Sequence, residues 1–323
     1  MAEERTLIEQ LDTAVEAIVR GQAAATVPEE LRAHVEVARQ LRNLPREQFR
    51  ERLKTELERM ANMTTTATSG VRPGFHTITP YLIVPNAAET IEFVKQAFGA
   101  EETMRGTGSA GGIHAELRIG DSMMMIGGGG PGITLRQAIT PMPTGLHVYV
   151  PDTDAAYARA LEAGATSLHA VADMPYGERS GSVRDRAGNE WYIATAHRQL
   201  PEGMRAVNVY LHPHGVDRLV EFVKDAFGAE EIELHREKPD GPIVHGELRL
   251  GDSILEMGEA HGQWLPMPTM LYLYLDDADA AYEKAIAAGA KSLWAPADQP
   301  YGDRNAGVQD EWENQWILAT HLG

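Results

Sequence analysis

The chain has 323 residues and a formal net charge of -18 at pH 7, with 43% apolar and 24% charged residues. This composition is typical of a globular protein with roughly two or three domains. An acidic surface repels phosphate groups, so we expect neither nucleic acid nor a membrane as a partner. The absence of cysteine excludes disulfides, thiolate nucleophiles and cysteine-bound zinc. Because the sequence shows neither a membrane-spanning apolar run nor a signal-peptide pattern, we predict a cytoplasmic location.

Residues 1–62 are predicted to form a short all-helical segment. Apolar residues recur there at helical spacing, and Pro28 and Pro45 begin a second and a third pattern. Charges of alternating sign favour a solvated helix face over a specific partner surface. Residues 63–74 are rich in Thr, Ser, Gly and Pro, which predicts a linker.

The rest of the chain contains an internal duplication. TPYLIVPNAAETIEFVKQAFGAEE, from residue 79, matches NVYLHPHGVDRLVEFVKDAFGAEE, from residue 208. Further along, HAELRIGDS matches HGELRLGDS, and DAAYARALEAGA matches DAAYEKAIAAGA. Since only two long copies are present, the duplication predicts tandem domains and not a solenoid. We place the two domains at residues 75–199 and 205–323.

Each copy contains the same smaller pattern twice. A β-type run such as ITPYLIV precedes an amphipathic helix, in which Ile91, Val94 and Phe98 share one face and Gly99 is the expected C-terminal cap. Three further strand patterns follow the helix. Each copy therefore reads as two βαβββ units.

The order of these motifs resembles a known family. TPYL, FVKQAFGAE, H-x-E-L-R-x-G-D-S, the DAAY helix ending in AGA, YG[ED]R and D-x-x-x-N-x-W occur in this order, and each recurs in the second copy with small changes. They resemble the vicinal oxygen chelate superfamily, the glyoxalase/bleomycin-resistance/dioxygenase group, and more narrowly its PhnB-like branch. The resemblance covers about residues 75–321 and leaves the helical segment outside.

The resemblance implies an α+β fold of tandem glyoxalase/bleomycin-resistance-type domains, each of two βαβββ units with curved mixed sheets. It also implies an intramolecular pseudo-dimer of the two domains, and a homodimer of the whole chain could form in addition. Whether the units pair within a domain or between domains stays open at this point.

Well-known members of the superfamily bind a divalent metal through His and Glu on the first and last strands of each unit. A metal that takes two neighbouring substrate oxygens needs three or four protein ligands and open positions. Transferred to this chain, the positions fall on Thr79, Met125, Gly145, Tyr192, Asn208, Glu256, Met270 and Ile317. Only Glu256 is a good ligand for a hard ion. We therefore expect no metal cofactor, with a divalent metal at other residues as the alternative.

Two His–Glu pairs are candidates for such an atypical site. His114 and Glu116 share one face of a strand, and His245 and Glu247 repeat the pattern. If this face lines a cavity, His147 would complete a triad with the first pair. A buried pair that satisfies its own charges is the favoured interpretation.

Three further features have both structural and functional interpretations. Arg179 and Arg304, in the YG[ED]R motifs, could each make bidentate hydrogen bonds to a carboxylate or phosphate of a ligand. Pairing of these arginines with an acid of the protein itself is the favoured interpretation. Trp191 and Trp316 are predicted to be core residues. The glycine-rich residues 127–133 lack the Lys-Ser/Thr of a phosphate loop and predict a flexible hinge.

The leading functional hypothesis is metal-independent binding of a small molecule in a cavity. The first copy would line its cavity with Tyr81, His114, Glu116, Met125, His147 and Tyr192. The second copy would use Tyr210, His245, Glu247, Glu256, Tyr272 and Ile317. One alternative is a metal-dependent lyase, isomerase or dioxygenase with an atypical site. Another is a structural or interaction protein that uses its helical N-terminus. Whether the protein is an enzyme is left undecided.

Overall fold

The computed structural model describes residues 13–15, 17, 28, 31, 32, 35, 70–133, 135, 140–262 and 264–323. The chain divides into two compact regions, Met1–Ala67 and Thr68–Gly323. The predicted helices of residues 1–62 and the first part of the predicted linker lie almost wholly outside the described residues. Within the described residues, no helix is both long enough and apolar enough to span a membrane.

Four βαβββ units follow one another in the described part of the chain. Unit 1 comprises β1 (Ile78–Val84), α1 (Ala87–Phe98), β2 (Glu101–Thr107), β3 (Ile113–Ile119) and β4 (Ser122–Gly128). Unit 2 comprises β5 (Gly145–Tyr149), α2 (Thr153–Glu162), β6 (Thr166–Met174), β7 (Glu178–Arg184) and β8 (Glu190–Ala196). Unit 3 comprises β9 (Val207–Leu211), α3 (Val216–Phe227), β10 (Glu230–Arg236), β11 (Ile243–Leu250) and β12 (Ser253–Met257). Unit 4 comprises β13 (Met270–Tyr274), α4 (Ala278–Ala287), β14 (Lys291–Asp298), β15 (Asp303–Gln309) and β16 (Gln315–His321). The predicted α+β class and the repeated βαβββ order are confirmed.

The two sheets each combine strands from both copies of the duplication. The first sheet has the order β14-β15-β16-β13-β1-β4-β3-β2, and the second has the order β10-β11-β12-β9-β5-β8-β7-β6. Unit 1 joins unit 4 through the antiparallel pair β1–β13, and unit 2 joins unit 3 through the antiparallel pair β5–β9. The question left open by the sequence is therefore answered, because the units pair between copies.

A single apolar core lies on the helix-covered sides of both sheets. Helix α1 of the first sheet packs against α2 of the second, and α3 packs against α4. The predicted C-terminal cap of α1 is confirmed, since Gly99 adopts a left-handed φ of 69°. Trp191 and Trp316 are fully buried in this core, as predicted. Because side chains alternate along a strand, the neighbours of these core residues point to the opposite side of each sheet.

The Gly-Asp-Ser turn before β12 fixes the start of β1. Asp252 accepts a hydrogen bond from the backbone N–H of Thr77 at 2.8 Å, and the Ser253 hydroxyl accepts one from the N–H of Ile78 at 3.1 Å. A Cβ atom at Gly251 would lie 2.3 Å from the Thr77 hydroxyl, so this close approach requires glycine.

The same turn before β4 fixes the start of β9 in return. Asp121 accepts from the N–H of Ala206 at 2.8 Å, and Ser122 accepts from the N–H of Val207 at 2.9 Å. The G-D-S motif thus links the two sheets reciprocally, which explains its presence in both copies without a catalytic role.

The D-x-x-x-N-x-W motif forms a closed turn before the last strand of units 2 and 4. Asp185 accepts hydrogen bonds from the backbone and side chain of Asn189, at 2.9 and 2.8 Å, and from the indole N–H of Trp191 at 3.1 Å. Asp310 makes the same bonds in unit 4. Burial raises the pKa of both carboxyl groups, although the hydrogen bonds oppose this effect. These residues therefore stabilise the turn and lie in the core.

The predicted glycine hinge is wrong for the beginning of residues 127–133. The first two glycines end strand β4, where a Cβ atom at Gly128 would lie 1.9 Å from the carbonyl oxygen of Val84. The Gly129 carbonyl accepts a hydrogen bond from the N–H of Ala87 at 3.0 Å, at the start of α1. Close packing against β1 and α1, and not flexibility, accounts for these glycines.

Replacing Glu313 by Gly should stabilise the fold. Glu313 is exposed and has a left-handed φ of 68°, at the turn position that Gly188 occupies in unit 2 with φ 94°. A side chain in this region costs on the order of 1 kcal/mol, so the free energy of unfolding in urea should rise by about 1 kcal/mol. Gly188→Ala is the matched control and should lower it. An unchanged or lower stability of Glu313→Gly would contradict this explanation of the turn.

Asp252 should make the fold sensitive to acid. Burial would raise the pKa of Asp252, but hydrogen bonds from His76 and Thr77 and the nearby Arg205 guanidinium outweigh it and hold that pKa well below its usual range. A carboxyl group with a lowered folded-state pKa stabilises the fold above its unfolded pKa of about 4, and the contribution is lost as the pH falls towards the folded value. We expect Asp252→Asn to be less stable than the wild type at pH 7 and to lose less stability between pH 4 and pH 2. The free energy of unfolding would be measured by urea denaturation at pH 4 and at pH 2. If the wild type and Asp252→Asn lost the same amount between these two pH values, this assignment would be contradicted.

Candidate functional site

Each sheet has one side turned away from the helices, and we call these sides the first face and the second face. The first face carries Tyr81, His114, Glu116, Met125, Tyr272, Tyr274, Asp303 and Ile317, which contact one another or the same neighbours. The second face carries His147, Tyr149, Glu178, Tyr192, Tyr210, His245, Glu247 and Glu256. Each residue of the first face has an equivalent in the second face through the duplication, so the two faces can be compared position by position.

The second sheet curls around its own face. Arg198 Nη2 lies 3.3 Å from a carboxylate oxygen of Glu178 on β7 and 3.9 Å from one of Glu247 on β11. These strands are five steps apart in the sheet order, which in a flat sheet would separate them by roughly 24 Å. Because one guanidinium reaches both, the second face is the inside of a strongly curved sheet.

His147 lies at the centre of the second face between two carboxylates. Its Nδ1 is 3.0 Å from Glu256 Oε1, while its Nε2 is 3.6 Å from Glu178 Oε2 and makes no hydrogen bond. The residue is only 8% exposed. Burial alone would lower the pKa of the imidazole, but the carboxylates of Glu256 and Glu178 outweigh it and raise that pKa to about 10. His147 therefore presents a buried N–H group for which the described part of the chain provides no hydrogen-bond acceptor.

Glu178 connects His147 to the rim of the face. The Tyr149 hydroxyl donates to Glu178 at 2.9 Å, and Arg198 donates at 3.3 Å. Burial would raise the pKa of Glu178, but His147, Tyr149 and Arg198 together lower it. The Arg198 side chain is about one-third exposed and makes these contacts through Nη2 alone, so its remaining N–H groups can reach a bound molecule.

Glu247 and Glu256 lie directly opposite each other on the neighbouring strands β11 and β12. Both are almost completely buried. His245 Nε2 lies 3.3 Å from Glu247 Oε1, and its Nδ1 lies 3.2 Å from the Tyr210 hydroxyl. Burial would lower the pKa of His245, but Glu247 and Glu256 raise it. The ligand atoms of His245, Glu247 and Glu256 all lie within 4.8 Å of one another, the one His/Asp/Glu group of this kind among the described residues.

Tyr192 belongs to a separate set of contacts on the same face. Its hydroxyl donates to Glu190 at 2.7 Å and lies 2.9 Å from His212 Nε2. Burial lowers the pKa of His212 to about 4, so its ring is neutral near pH 7 and Nε2–H donates to the Tyr192 oxygen. Tyr210 stacks on His212 with ring centroids 4.7 Å apart. These rings form an aromatic wall beside the charged centre.

The first face is filled by the chain itself. Arg72, which precedes β1, donates to both carboxylate oxygens of Glu116, at 2.5 and 3.2 Å. Its guanidinium lies 4.5 Å from the ring centre of Phe75. Phe75 packs in turn among the apolar residues of this face, which are Met123, Met125, Tyr272, Tyr274, Ile317 and Ala319. A cation and an aromatic ring of the same chain therefore occupy the place where a ligand would lie.

The sequence-based grouping of site residues needs correction. His147 lies on the second sheet, whereas His114 and Glu116 lie on the first, so the triad of these residues is wrong. The predicted cavities regroup for the same reason. The first face unites Tyr81, His114, Glu116 and Met125 with Tyr272 and Ile317. The second unites His147 and Tyr192 with Tyr210, His245, Glu247 and Glu256. The physical reason is the strand exchange between the two copies.

Arg179 and Arg304 lie outside both faces. Arg179 pairs with Asp154, at the start of α2, and with Asp173, and Arg304 pairs with Asp279 and Asp298 in the same manner. The inward positions belong to the preceding residues, Glu178 and Asp303, which were not among the predicted site residues. The alternation of side chains along a strand could have identified these two acids. Strands β7 and β15 begin at them, both acids are buried, and the arginines that follow point to the other side of the sheet.

Comparisons with known proteins agree with this architecture. The family model described as a glyoxalase-like domain matches residues 81–194, and that of the glyoxalase/bleomycin resistance protein/dioxygenase superfamily matches residues 214–318. An uncharacterised protein of Mycobacterium bovis is 36% identical over 129 residues, which are 38% of this chain and 85% of that protein. An uncharacterised Mycobacterium tuberculosis protein is equally similar, over 76% of its length.

Among solved structures, glyoxalase I from Zea mays aligns with a TM-score of 0.57 and 14% identity, over 75% of this chain and 92% of that one. A Bacillus subtilis protein described as a putative dioxygenase gives a TM-score of 0.54 and 13% identity, over 76% of this chain and 84% of that one. At such low identity these two structures support the fold alone.

Removing the guanidinium of Arg72 should destabilise the fold. Arg72→Ala leaves the buried Glu116 without its bidentate partner, and we expect a loss of about 2 kcal/mol in the free energy of unfolding. Adding Glu116→Gln should recover most of this loss, since the uncompensated charge is then gone. A double-mutant cycle by urea denaturation measures the coupling. Additive effects of the two substitutions would show that the segment before β1 does not occupy the first face.

Proposed function

The chain belongs to the glyoxalase/bleomycin resistance protein/dioxygenase superfamily, and on this premise we propose that its second face binds a small, oxygen-rich molecule. Binding would use protein groups and would not require a metal at the positions that the superfamily uses. The observation that carries the proposal is the buried Nε2 of His147, which has no hydrogen-bond partner.

The superfamily's metal positions do not fit a metal in this chain. In the second sheet they are Gly145, Tyr192, Asn208 and Glu256, and in the first sheet they are Thr79, Met125, Met270 and Ile317. One carboxylate, an amide and a phenol hydrogen-bonded to Glu190 do not make a donor set for a divalent ion, and the four positions of the first sheet include no carboxylate or imidazole.

The second face offers both donors and acceptors to such a molecule. Donors are the His147 Nε2–H and the N–H groups of Arg198 other than that of Nη2, which the described residues do not bind. Acceptors are the buried carboxylates of Glu178 and Glu256, each of which is contacted by a nitrogen of His147. Because these carboxylates would repel an anion, a neutral molecule with neighbouring carbonyl and hydroxyl oxygens fits better than a carboxylic acid. The first face lacks this capacity, since Arg72 and Phe75 fill it.

The narrower assignments stay predictions. They are the PhnB-like branch, the cytoplasmic location, an enzymatic activity of lyase, isomerase or dioxygenase type, and an interaction role for the helical N-terminus. We prefer binding to an enzymatic or interaction role because the second face contains a buried polar atom, Nε2 of His147, without a hydrogen bond to the described residues.

A binding screen without metal tests the proposal. Tag-free protein in EDTA would be mixed with 1,2-diketones, 2-hydroxyketones and catechols, and binding followed by saturation-transfer NMR and thermal shift. We expect at least one class to bind. His147→Gln should weaken that binding at least about tenfold, because the ligand loses a charge-assisted hydrogen bond.

Tyr272→Phe is the matched control, since Tyr272 holds the equivalent position in the first face. It should leave the ligand affinity unchanged. The proposal is wrong if no class binds, or if Tyr272→Phe weakens binding as much as His147→Gln does. Binding that disappears in EDTA and returns with a divalent metal would favour the metal-dependent alternative.

A further inference from the structure

We propose that Tyr176 is a specificity-determining residue of the second face, whose ring covers the bound molecule and selects one with a planar ring beside its oxygens. This inference rests on the proposed function and deepens it, because it assigns a ring to the oxygen-rich ligand. The observation that carries it is the difference between Tyr176 and its equivalent in the other copy, Tyr301. A side chain of the protein holds the hydroxyl of Tyr301, whereas no hydrogen bond from the described residues holds that of Tyr176.

The two tyrosines precede backbone turns of the same geometry. The Gly177 N–H donates to the Met174 carbonyl at 3.0 Å, and the Gly177 carbonyl accepts from the N–H of His197 at 2.9 Å. In the other copy, Gly302 makes the corresponding two bonds at 3.1 and 2.8 Å. Both glycines are left-handed, with φ of 88° and 91°. The backbone therefore presents both tyrosine side chains from equivalent positions, and a difference between them arises from their neighbours.

On the first face, Tyr301 is already held by the protein. The side-chain amide of Asn305 donates to the Tyr301 hydroxyl at 2.8 Å and to the Tyr272 hydroxyl at 3.4 Å. Burial raises the pKa of Tyr81 to about 12, and the nearby Tyr301 hydroxyl contributes to this rise. Tyr301 thus reaches over the first face, and Asn305 fixes it there.

On the second face, the residue equivalent to Asn305 is Ser180, whose side chain is shorter. Among the residues that the structure describes, none makes a hydrogen bond to the Tyr176 hydroxyl. The other partner of Asn305 is replaced as well, since His147 stands where the first face has Tyr272. The second face therefore lacks the contact that fixes the equivalent tyrosine, and a ligand can take its place.

The Tyr176 hydroxyl is directed towards the polar centre of the second face. Partial burial raises its pKa, the carboxylates of Glu178 and Glu256 raise it further, and the Arg198 guanidinium lowers it. Glu178 is also the acid that His147 Nε2 approaches, at 3.6 Å, and to which Arg198 donates at 3.3 Å. The two donors of the proposed function and the Tyr176 side chain therefore gather around the same carboxylate.

The ring of Tyr176 has surface to offer to a ligand. The residue is 58% exposed, although its hydroxyl lies near buried carboxylates. Burial, Glu256 and Tyr176 together raise the pKa of Tyr210, so the two tyrosines are close enough to interact. Among the described residues, Tyr210 makes its ring contacts with the rest of the aromatic wall and with His245, and not with Tyr176. A flat group can enter between Tyr176 and the wall, where stacked or edge-to-face rings are favourable.

These positions determine how such a ligand would lie. Its oxygens would accept hydrogen bonds from His147 Nε2–H and from Arg198, and its ring would lie under Tyr176. A ligand with the same oxygens and no ring would make the polar contacts alone. Tyr176 therefore distinguishes ligands by the group next to the oxygens, and its loss should affect the ligands with a ring.

A matched pair of 2-hydroxyketones tests this inference. Phenacyl alcohol carries a phenyl ring where hydroxyacetone carries a methyl group, and both offer the same carbonyl and hydroxyl oxygens. Their dissociation constants would be measured by NMR titration in EDTA, with the full-length wild type, Tyr176→Ala and Tyr176→Phe. We expect the wild type to bind phenacyl alcohol more tightly than hydroxyacetone. Tyr176→Ala should weaken the binding of phenacyl alcohol about three- to tenfold, as expected for one aromatic contact, and that of hydroxyacetone less than about twofold. Tyr176→Phe keeps the ring and should keep the preference.

Tyr301→Ala is the matched control and should bind both compounds as the wild type does, since the chain itself fills the first face. Circular dichroism and thermal unfolding confirm that each variant folds, which the exposure of both tyrosines favours. The inference is overturned if phenacyl alcohol does not bind, or binds no more tightly than hydroxyacetone. It is also overturned if Tyr176→Ala leaves the preference unchanged, or if Tyr176→Phe or Tyr301→Ala removes it equally.

The same measurements separate this inference from the proposed function. Binding of hydroxyacetone that depends on His147, without a preference for the phenyl ring, would leave the proposed function standing and show that Tyr176 does not select the ligand. If neither these compounds nor any class of the screen binds, the proposed function is wrong, and the role of Tyr176 is rejected with it.

Discussion

The antiparallel pairing of β5 with β9, and of β1 with β13, determines the rest of this structure. Each pairing joins a βαβββ unit of one copy to a unit of the other and so builds both eight-stranded sheets. The reciprocal G-D-S turns support the same exchange, because each turn binds the first N–H groups of a strand in the other sheet. His147, from the first copy, meets Glu256, from the second, only because β5 and β9 are neighbours. The second face is thus a property of both copies together.

The two faces have diverged from a common plan. Two equivalent pairs keep their chemistry, namely Tyr149 with Tyr274 and Glu178 with Asp303. The first face is less charged because Tyr272 stands in the place of His147, and Met125 in the place of Glu256. Tyr272 donates to Asp303 at 2.7 Å and so satisfies that acid within the protein. Arg72 pairs with Glu116, and Phe75 packs among the apolar residues, so the groups of the first face are paired and packed within the protein. The second face keeps three buried carboxylates and an N–H group, that of His147, for which the described residues provide no hydrogen-bond acceptor.

Much of the fold was predictable from residue patterns. Helical periodicity with Gly99 predicted α1 and its end, and the duplicated motifs predicted four βαβββ units. The partners of these units could not be predicted, because pairing within or between copies buries the same apolar faces. That single ambiguity misplaced His147 beside Glu116. Alternation correctly put His245 and Glu247 on one side of β11. In β7 the sequence motif points to Arg179 as a ligand-binding residue, but the buried Glu178 before it is the residue that faces inward.

The exchange of units between copies is the central claim, and an engineered disulfide tests it most directly. The chain has no cysteine, so Val148→Cys and Val207→Cys would introduce its only thiols. These residues are register partners on β5 and β9, and the bond from Tyr149 N–H to Ala206 makes them a non-hydrogen-bonded pair, with Cα atoms roughly 4.5 Å apart. After mild oxidation we predict a monomer with no free thiol in denaturant. Free thiols on both cysteines, or a disulfide-linked dimer, would contradict the pairing on which the second face depends.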